Sequence, residues 1–153
     1  FLGFKKSLDS AEQKKFIELR KKPLTEGKSM KDIAPNIIES LVSPNCPAEP
    51  REILMRSLTN IHVPSYIKTI EASVKHKPEG RIADIAVPVQ LIFGEYDTLT
   101  PPQMGKKMKS QIKNSRLDLI LNAGHVSNIE KPVEFNNILK NFLTTHLTES
   151  SFL

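Results

Sequence analysis

Two residues in this chain have the types and setting for proton transfer: Asp97 and His125, each just past a short apolar run. An aspartate that accepts from a histidine Nδ1–H fixes the tautomer whose Nε2 can take a proton and return it. Asp97 lies in Gly94-Glu-Tyr-Asp97-Thr-Leu-Thr-Pro101, and His125 follows Gly124. Glu95 is a second carboxylate in the same turn. Asp97 is preferred because the residues after it lead directly into a predicted helix, which leaves its side chain at the loop apex. Plainer roles exist for both: a turn or capping Asp, and a loop His bonded to backbone. Ser127, Asn128 and Glu130 follow the histidine, where they can reach substrate or close the loop through backbone hydrogen bonds. Of the other histidines, His62 and His76 fall near predicted helix ends. His146 falls in a last helical turn, where a cation is favoured. No spacing among the four matches a metal site, and with no glycine-rich phosphate loop or dinucleotide fingerprint, no cofactor is expected.

Open α/β sheets place such residues at the carboxyl ends of parallel strands. Val89 to Phe93 is a nearly all-apolar run of the kind buried on both faces of a parallel sheet. Arg116 to Leu121 is a second strand. A helix from Pro102 to Ile112, with Met104, Met108 and Ile112 four residues apart, makes the right-handed crossover between them. The last helix is expected to run from Pro132 to about His146, burying Val133, Phe135, Ile138, Leu139, Phe142 and Leu143. Two strands alone leave open edges. A missing core segment or self-association is expected to cover them.

Upstream, residues 10 to 76 read as four short amphipathic helices joined by proline-rich turns. Ser10 and Gln13 have capping-box spacing, opening a helix to about Lys22 whose apolar side is Ala11, Phe16, Ile17 and Leu19; Pro23 and Gly27 interrupt it. Ser29 and Asp32 form a second, poorer box ahead of Met30, Ile33, Ile37, Ile38 and Leu41. Pro35 is acceptable there only in a first turn. A third helix spans Pro50 to Ile61, and Pro64 suits the start of a fourth. Phe1-Leu-Gly-Phe4 looks like the tail of an earlier element.

The chain has 153 residues, with 22 Lys and Arg against 17 acidic residues and a formal charge of +5. The lysines are spread over helix surfaces, without a recognition helix or aromatic platform, so no nucleic-acid partner is expected. Cys46, the one cysteine, reads as a loop thiol in Pro44-Asn-Cys-Pro47. The apolar runs are too short to cross a bilayer, and the amino end lacks a signal-peptide stretch. The expectation is a soluble cytoplasmic protein with no membrane partner.

The acid turn, together with Gly124-His125-Val-Ser-Asn-Ile-Glu-Lys-Pro132 and a Phe three residues on, resembles the carboxyl-terminal part of α/β-hydrolase superfamily enzymes. The nearest pattern is that of enol-lactonases, carbon–carbon bond hydrolases and small esterases. The lead-in Ile85-Ala-Val-Pro-Val89 is similar to that family's return from cap to core. The resemblance implies a partial α/β-hydrolase fold: a helical cap over residues 1–80, then two parallel core strands and their helices over 81–153. It makes Asp97 the triad acid and His125 the base. The family's Gly-x-Ser-x-Gly elbow and its oxyanion-hole loop have no match in this sequence, and Phe1 falls about where the cap would begin. The expectation is therefore a hydrolase fragment, inactive alone, whose intact parent attacks a small-molecule ester, lactone or activated carbonyl. Two alternatives are a dehalogenase or epoxide-hydrolase parent with an Asp nucleophile, and a non-catalytic binding or structural remnant.

Overall fold

The computed structural model describes residues 10–75 and 81–147. The expectations for Phe1-Leu-Gly-Phe4 and for His76 lie outside the described residues, and that for the Ser10–Gln13 box rests on side chains that are likewise outside the description. The elements are α1 (Ser10–Thr25), α2 (Met30–Glu39), α3 (Ala48–Thr59), α4 (Val63–Lys75), a 3-10 turn (Ile82–Asp84), β1 (Val89–Gly94), α5 (Pro102–Gln111), β2 (Ser115–Ile120), α6 (Ser127–Glu130) and α7 (Pro132–Leu147). They fall into two compact units, one within Phe1–Ile38 and Arg51–Glu79, the other within Glu39–Pro50 and Gly80–Leu153.

The first unit is helical. Helix α1 continues through Pro23, which the sequence marks as an interruption. Pro23 lies in the last turn, and the stop comes at Gly27, whose φ of 92° suits a residue without Cβ. There the N–H of Lys28 donates to Pro23 O at 2.9 Å and that of Gly27 to Leu24 O at 3.4 Å, the paired closing bonds of a Schellman end. Packing of α1 on α4 buries Leu24 and Ile70 and pairs Lys21 Nζ with Glu71 Oε1 at 2.8 Å. Leu19, expected inward, is 66% exposed; the buried side of α1 is narrower than its apolar residues imply.

Helix α2 starts with half of the expected box. The Ser29 N–H and hydroxyl both donate to Asp32 Oδ2, at 2.8 and 2.6 Å. These bonds lower the Asp32 pKa, the hydroxyl most and the N–H next. Pro35 lies beyond the first turn yet does not break α2. It is exposed, so the carbonyl its absent N–H leaves unserved is on a wet face. Met30, Ala34 and Ile38 are the buried stripe of α2. At the start of α4, His62 Nδ1 lies 2.9 Å from Ser65 Oγ, a local cap.

The second unit holds the sheet. β1 and β2 are parallel, in register from Val89 beside Ser115 to Gly94 beside Ile120. Leu91, Phe93, Ile112, Ile120 and Ala123 are buried, the larger of them contributing about 1.5–3 kcal/mol each. Among the described residues the sheet has two strands. Leu119 and Leu121 are exposed in this unit, and so are Val133 and Leu143, expected inward on the last helix: the face that α7 buries is narrower than its apolar residues imply. The connector Glu39–Pro50, between α2 and α3, packs with the sheet unit.

Candidate functional site

The parallel register brings the ends of β1 and β2 level, so the loops that follow them are neighbours. The N–H of Glu95 donates to Ile120 O at 2.9 Å and that of Tyr96 to Ala123 O at 2.8 Å, continuing the pairing past the strands. This ladder delivers Asp97 and His125 to each other. Asp97 Oδ2 lies 2.9 Å from His125 Nδ1. The acid side chain is 4% exposed and the imidazole 34%, a buried carboxylate behind an accessible ring.

The acid loop closes on its own carboxylate. Asp97 Oδ1 accepts the N–H of Leu99 at 2.9 Å and of Thr100 at 2.8 Å. The Thr100 hydroxyl donates to Oδ2 at 2.6 Å and lies 3.2 Å from His125 Nδ1. Burial pushes the Asp97 carboxyl up, but the Thr100 hydroxyl, the Thr100 N–H and His125 outweigh it, leaving the pKa below its ordinary value. Thr100 had no role assigned from sequence. Its signal is an Asp followed two and three residues on by N–H donors, the second on a hydroxyl side chain. Glu95 is placed otherwise: exposed, with Oε2 accepting the N–H of Asn122 at 2.9 Å. That bond holds Asn122 at a positive φ of 53°, a conformation asparagine tolerates.

The histidine loop is held from further away. Leu41 O accepts the N–H of His125 at 2.8 Å and, at 3.4 Å, that of Val126. Glu130, 6% exposed, closes the same contact. Its Oε1 accepts the Gly124 N–H at 2.6 Å; its Oε2 accepts the Ser43 N–H at 2.9 Å and the Ser43 hydroxyl at 2.6 Å. Of the two roles open to Glu130 in the sequence, closing the loop is the one its bonds perform. A Cβ on Gly124 would lie 2.6 Å from Leu41 O and 2.8 Å from Ser43 N, so glycine is what allows this close approach. The segment at Leu41–Ser43 is a part of the site that sequence reading missed. A single turn, α6 from Ser127 to Glu130, forms in a stretch read as loop.

Among the described residues no group of three His, Cys, Asp or Glu side chains could hold a metal ion, and no helix is long and apolar enough to cross a membrane. The dyad can orient a base and stabilise the imidazolium that forms when it takes a proton. It needs a nucleophile to act on.

Residues 21–132 match the family model for the alpha/beta hydrolase fold. Over 84 residues the chain is 29% identical to a 2-hydroxy-6-oxononadienedioate/2-hydroxy-6-oxononatrienedioate hydrolase of Klebsiella pneumoniae, covering 54% of this chain and 29% of that enzyme. In structure it is similar to a thermophilic esterase from Thermogutta terrifontis (TM-score 0.79, 17% identity, 90% of this chain and 52% of that one). It is also similar to the enol-lactonase from Burkholderia xenovorans (TM-score 0.70, 22% identity, 78% and 46%). The chain thus spans about half the length of these structures.

Proposed function

The chain belongs to the α/β-hydrolase fold family, and from that premise we propose that Asp97 and His125 are the acid and base of a hydrolase triad. The nucleophile is supplied from elsewhere in the whole protein. The observation that carries this reading is the 2.9 Å contact between a buried Asp97 Oδ2 and the Nδ1 of a more exposed imidazole. With Nδ1–H donated to Asp97, the lone pair on Nε2 is the base. It takes the proton of a nucleophilic hydroxyl as that oxygen bonds to the substrate carbonyl carbon, and returns it to the leaving group as the tetrahedral intermediate collapses. Asp97 stays ionised throughout, and its lowered pKa suits that role.

The substrate class is a small ester, lactone or related activated carbonyl, by likeness to the esterase, the lactonase and the carbon–carbon bond hydrolase named above. The 153 residues contain no Gly-x-Ser-x-Gly elbow, so the chain alone has no appreciable turnover: nothing is there to activate, and no oxyanion hole stabilises the developing charge. The rest of a hydrolase core, covalently joined or separate, covers the open strands and supplies both; exposed Leu119, Leu121 and Val133 support that. A cytoplasmic location belongs to the same proposal, a buried thiol at Cys46 being at home in a reducing compartment.

The test is His125→Ala in the whole hydrolase, assayed on small esters and lactones. Loss of kcat by at least about 100-fold with an unchanged melting curve is the expected result. Full turnover in that variant would overturn the base assignment.

A further inference from the structure

We infer that Glu130 and Ser43 form a positioning lock that sets the orientation of His125. This deepens the proposed role of His125 as the base and rests on it.

The lock is a closed circuit. From Leu41 O it passes to the N–H of His125, back along the chain to Gly124, from the Gly124 N–H to Glu130 Oε1, through the carboxylate to Ser43, and along Val42 to Leu41. Every link is either covalent or a hydrogen bond of 2.6–2.9 Å. The circuit includes the residue before the histidine and the histidine's own N–H, so it fixes the backbone from which the imidazole projects. Asp97 then needs only to meet a ring that already points at it. Without the circuit, the described hydrogen bonds of the ring are those to Asp97 and Thr100, which constrain one nitrogen and not the backbone of Gly124 and His125.

The chemistry of the lock demands a carboxylate. Three donors converge on Glu130: two backbone N–H groups and one hydroxyl. A carboxylate presents acceptors alone, whereas a glutamine would turn an NH2 against either the Gly124 or the Ser43 N–H. Glu130→Gln is therefore close to a deletion at this site, although it matches glutamate in shape. Charge-assisted bonds to a carboxylate are also roughly twice as strong as neutral ones. Val42, Ser43 and Glu130 are all buried, so water is poorly placed to replace a lost partner.

The experiment follows the ring itself. The whole hydrolase is labelled with 15N at histidine, and long-range 1H–15N spectra near roughly pH 8, above the ordinary imidazole pKa, report which ring nitrogen holds the proton. The His125 signals are assigned by their absence in His125→Gln. The wild-type ring is expected to be protonated on Nδ1. In Glu130→Gln and Glu130→Ala the ring becomes a mixture of tautomers, and its Nδ1–H exchanges with solvent at least about tenfold faster, as loss of charge-assisted hydrogen bonds gives. The amides of Leu99 and Thr100 keep their protection. Wild-type tautomer and exchange in both variants overturn the lock and leave the base assignment standing. A wild-type ring protonated on Nε2 overturns the base assignment itself, and this inference with it. Should the Glu130 variants fail to fold, Ser43→Ala removes one bond of three. It is expected to speed exchange about threefold, the effect of one modest hydrogen bond, and no change there overturns the lock.

Discussion

The loop of Asp97 closes on itself, whereas the loop of His125 is closed by Glu130 reaching Ser43, 87 positions before Glu130 in the chain. Around the acid, the bonds to Oδ1 and the short bond to Oδ2 come from Leu99 and Thr100, two and three residues on. Around the base, the backbone hangs from Leu41 and the closing carboxylate reaches Ser43. A self-closed loop forms whenever its strand does. A loop closed from a distance forms only when two separate segments meet, at the cost of the chain entropy between them. The proposed dyad thus joins a locally determined carboxylate to a globally determined imidazole, and damage to each half should have different reach.

The largest effect is expected where the halves meet. In Asp97→Asn the carbonyl oxygen is held by the Leu99 and Thr100 N–H groups, so the amide NH2 faces His125 Nδ1. The ring must then accept at Nδ1 and carry its proton on Nε2, the wrong tautomer for a base. Turnover of the whole hydrolase should fall by at least about 100-fold, while Leu99 and Thr100 amide protection is little changed. Retained turnover would separate the geometry of the pair from its proposed role.

Gly124→Ala attacks the distant closure without touching a titrating group. The new Cβ meets Leu41 O and the Ser43 backbone, and overpacking of this kind costs about 1–3 kcal/mol. Denaturant unfolding should show that loss, and amide exchange should speed at His125 but not at Thr100. Equal loosening of both loops would erase the contrast drawn between them.

Thr100→Val attacks the local closure. It keeps the shape of threonine and removes the hydroxyl that donates to Asp97 Oδ2, at a cost of about 1 kcal/mol. The Asp97 carboxyl should titrate nearer its ordinary 3.8, read by carbon NMR of the side chain. An unmoved titration would show that the hydroxyl bond does not hold the carboxyl down.

The smallest effect is the acid limb of wild-type stability. Asp97 has a lowered pKa in the fold, so its contribution is fully present above the unfolded value and is lost as pH falls through the folded one. Stability should therefore decline below about pH 4, with Thr100→Val losing its share of that slope. A stability curve flat from pH 5 to below the folded pKa would show that Asp97 makes no such contribution.

Most of the sheet unit could be read without coordinates. Val89–Phe93 and Arg116–Leu121 fall within a residue of β1 and β2, because short apolar runs bounded by turns have few other uses. The helices formed where their periods placed them, but the buried faces did not all follow the pattern: Val133 and Leu143 on the last helix are exposed. Pro23 was absorbed by a last turn, Pro35 by a wet face, and Leu19 was left outside a packing surface narrower than the pattern.

The sequence by itself determined the strand–helix–strand–helix order, the carboxylate and imidazole past the two strand ends, and the absence of a nucleophile elbow among these residues. Tertiary structure set Asp97 rather than Glu95 beside His125, bonded Thr100 to both, and brought Leu41 and Ser43 to the histidine loop. The division has one cause. Periodicity and turn chemistry act over a few neighbouring residues, while a hydrogen bond between Ser43 and Glu130 exists only because the chain between them folds to the length that lets them meet.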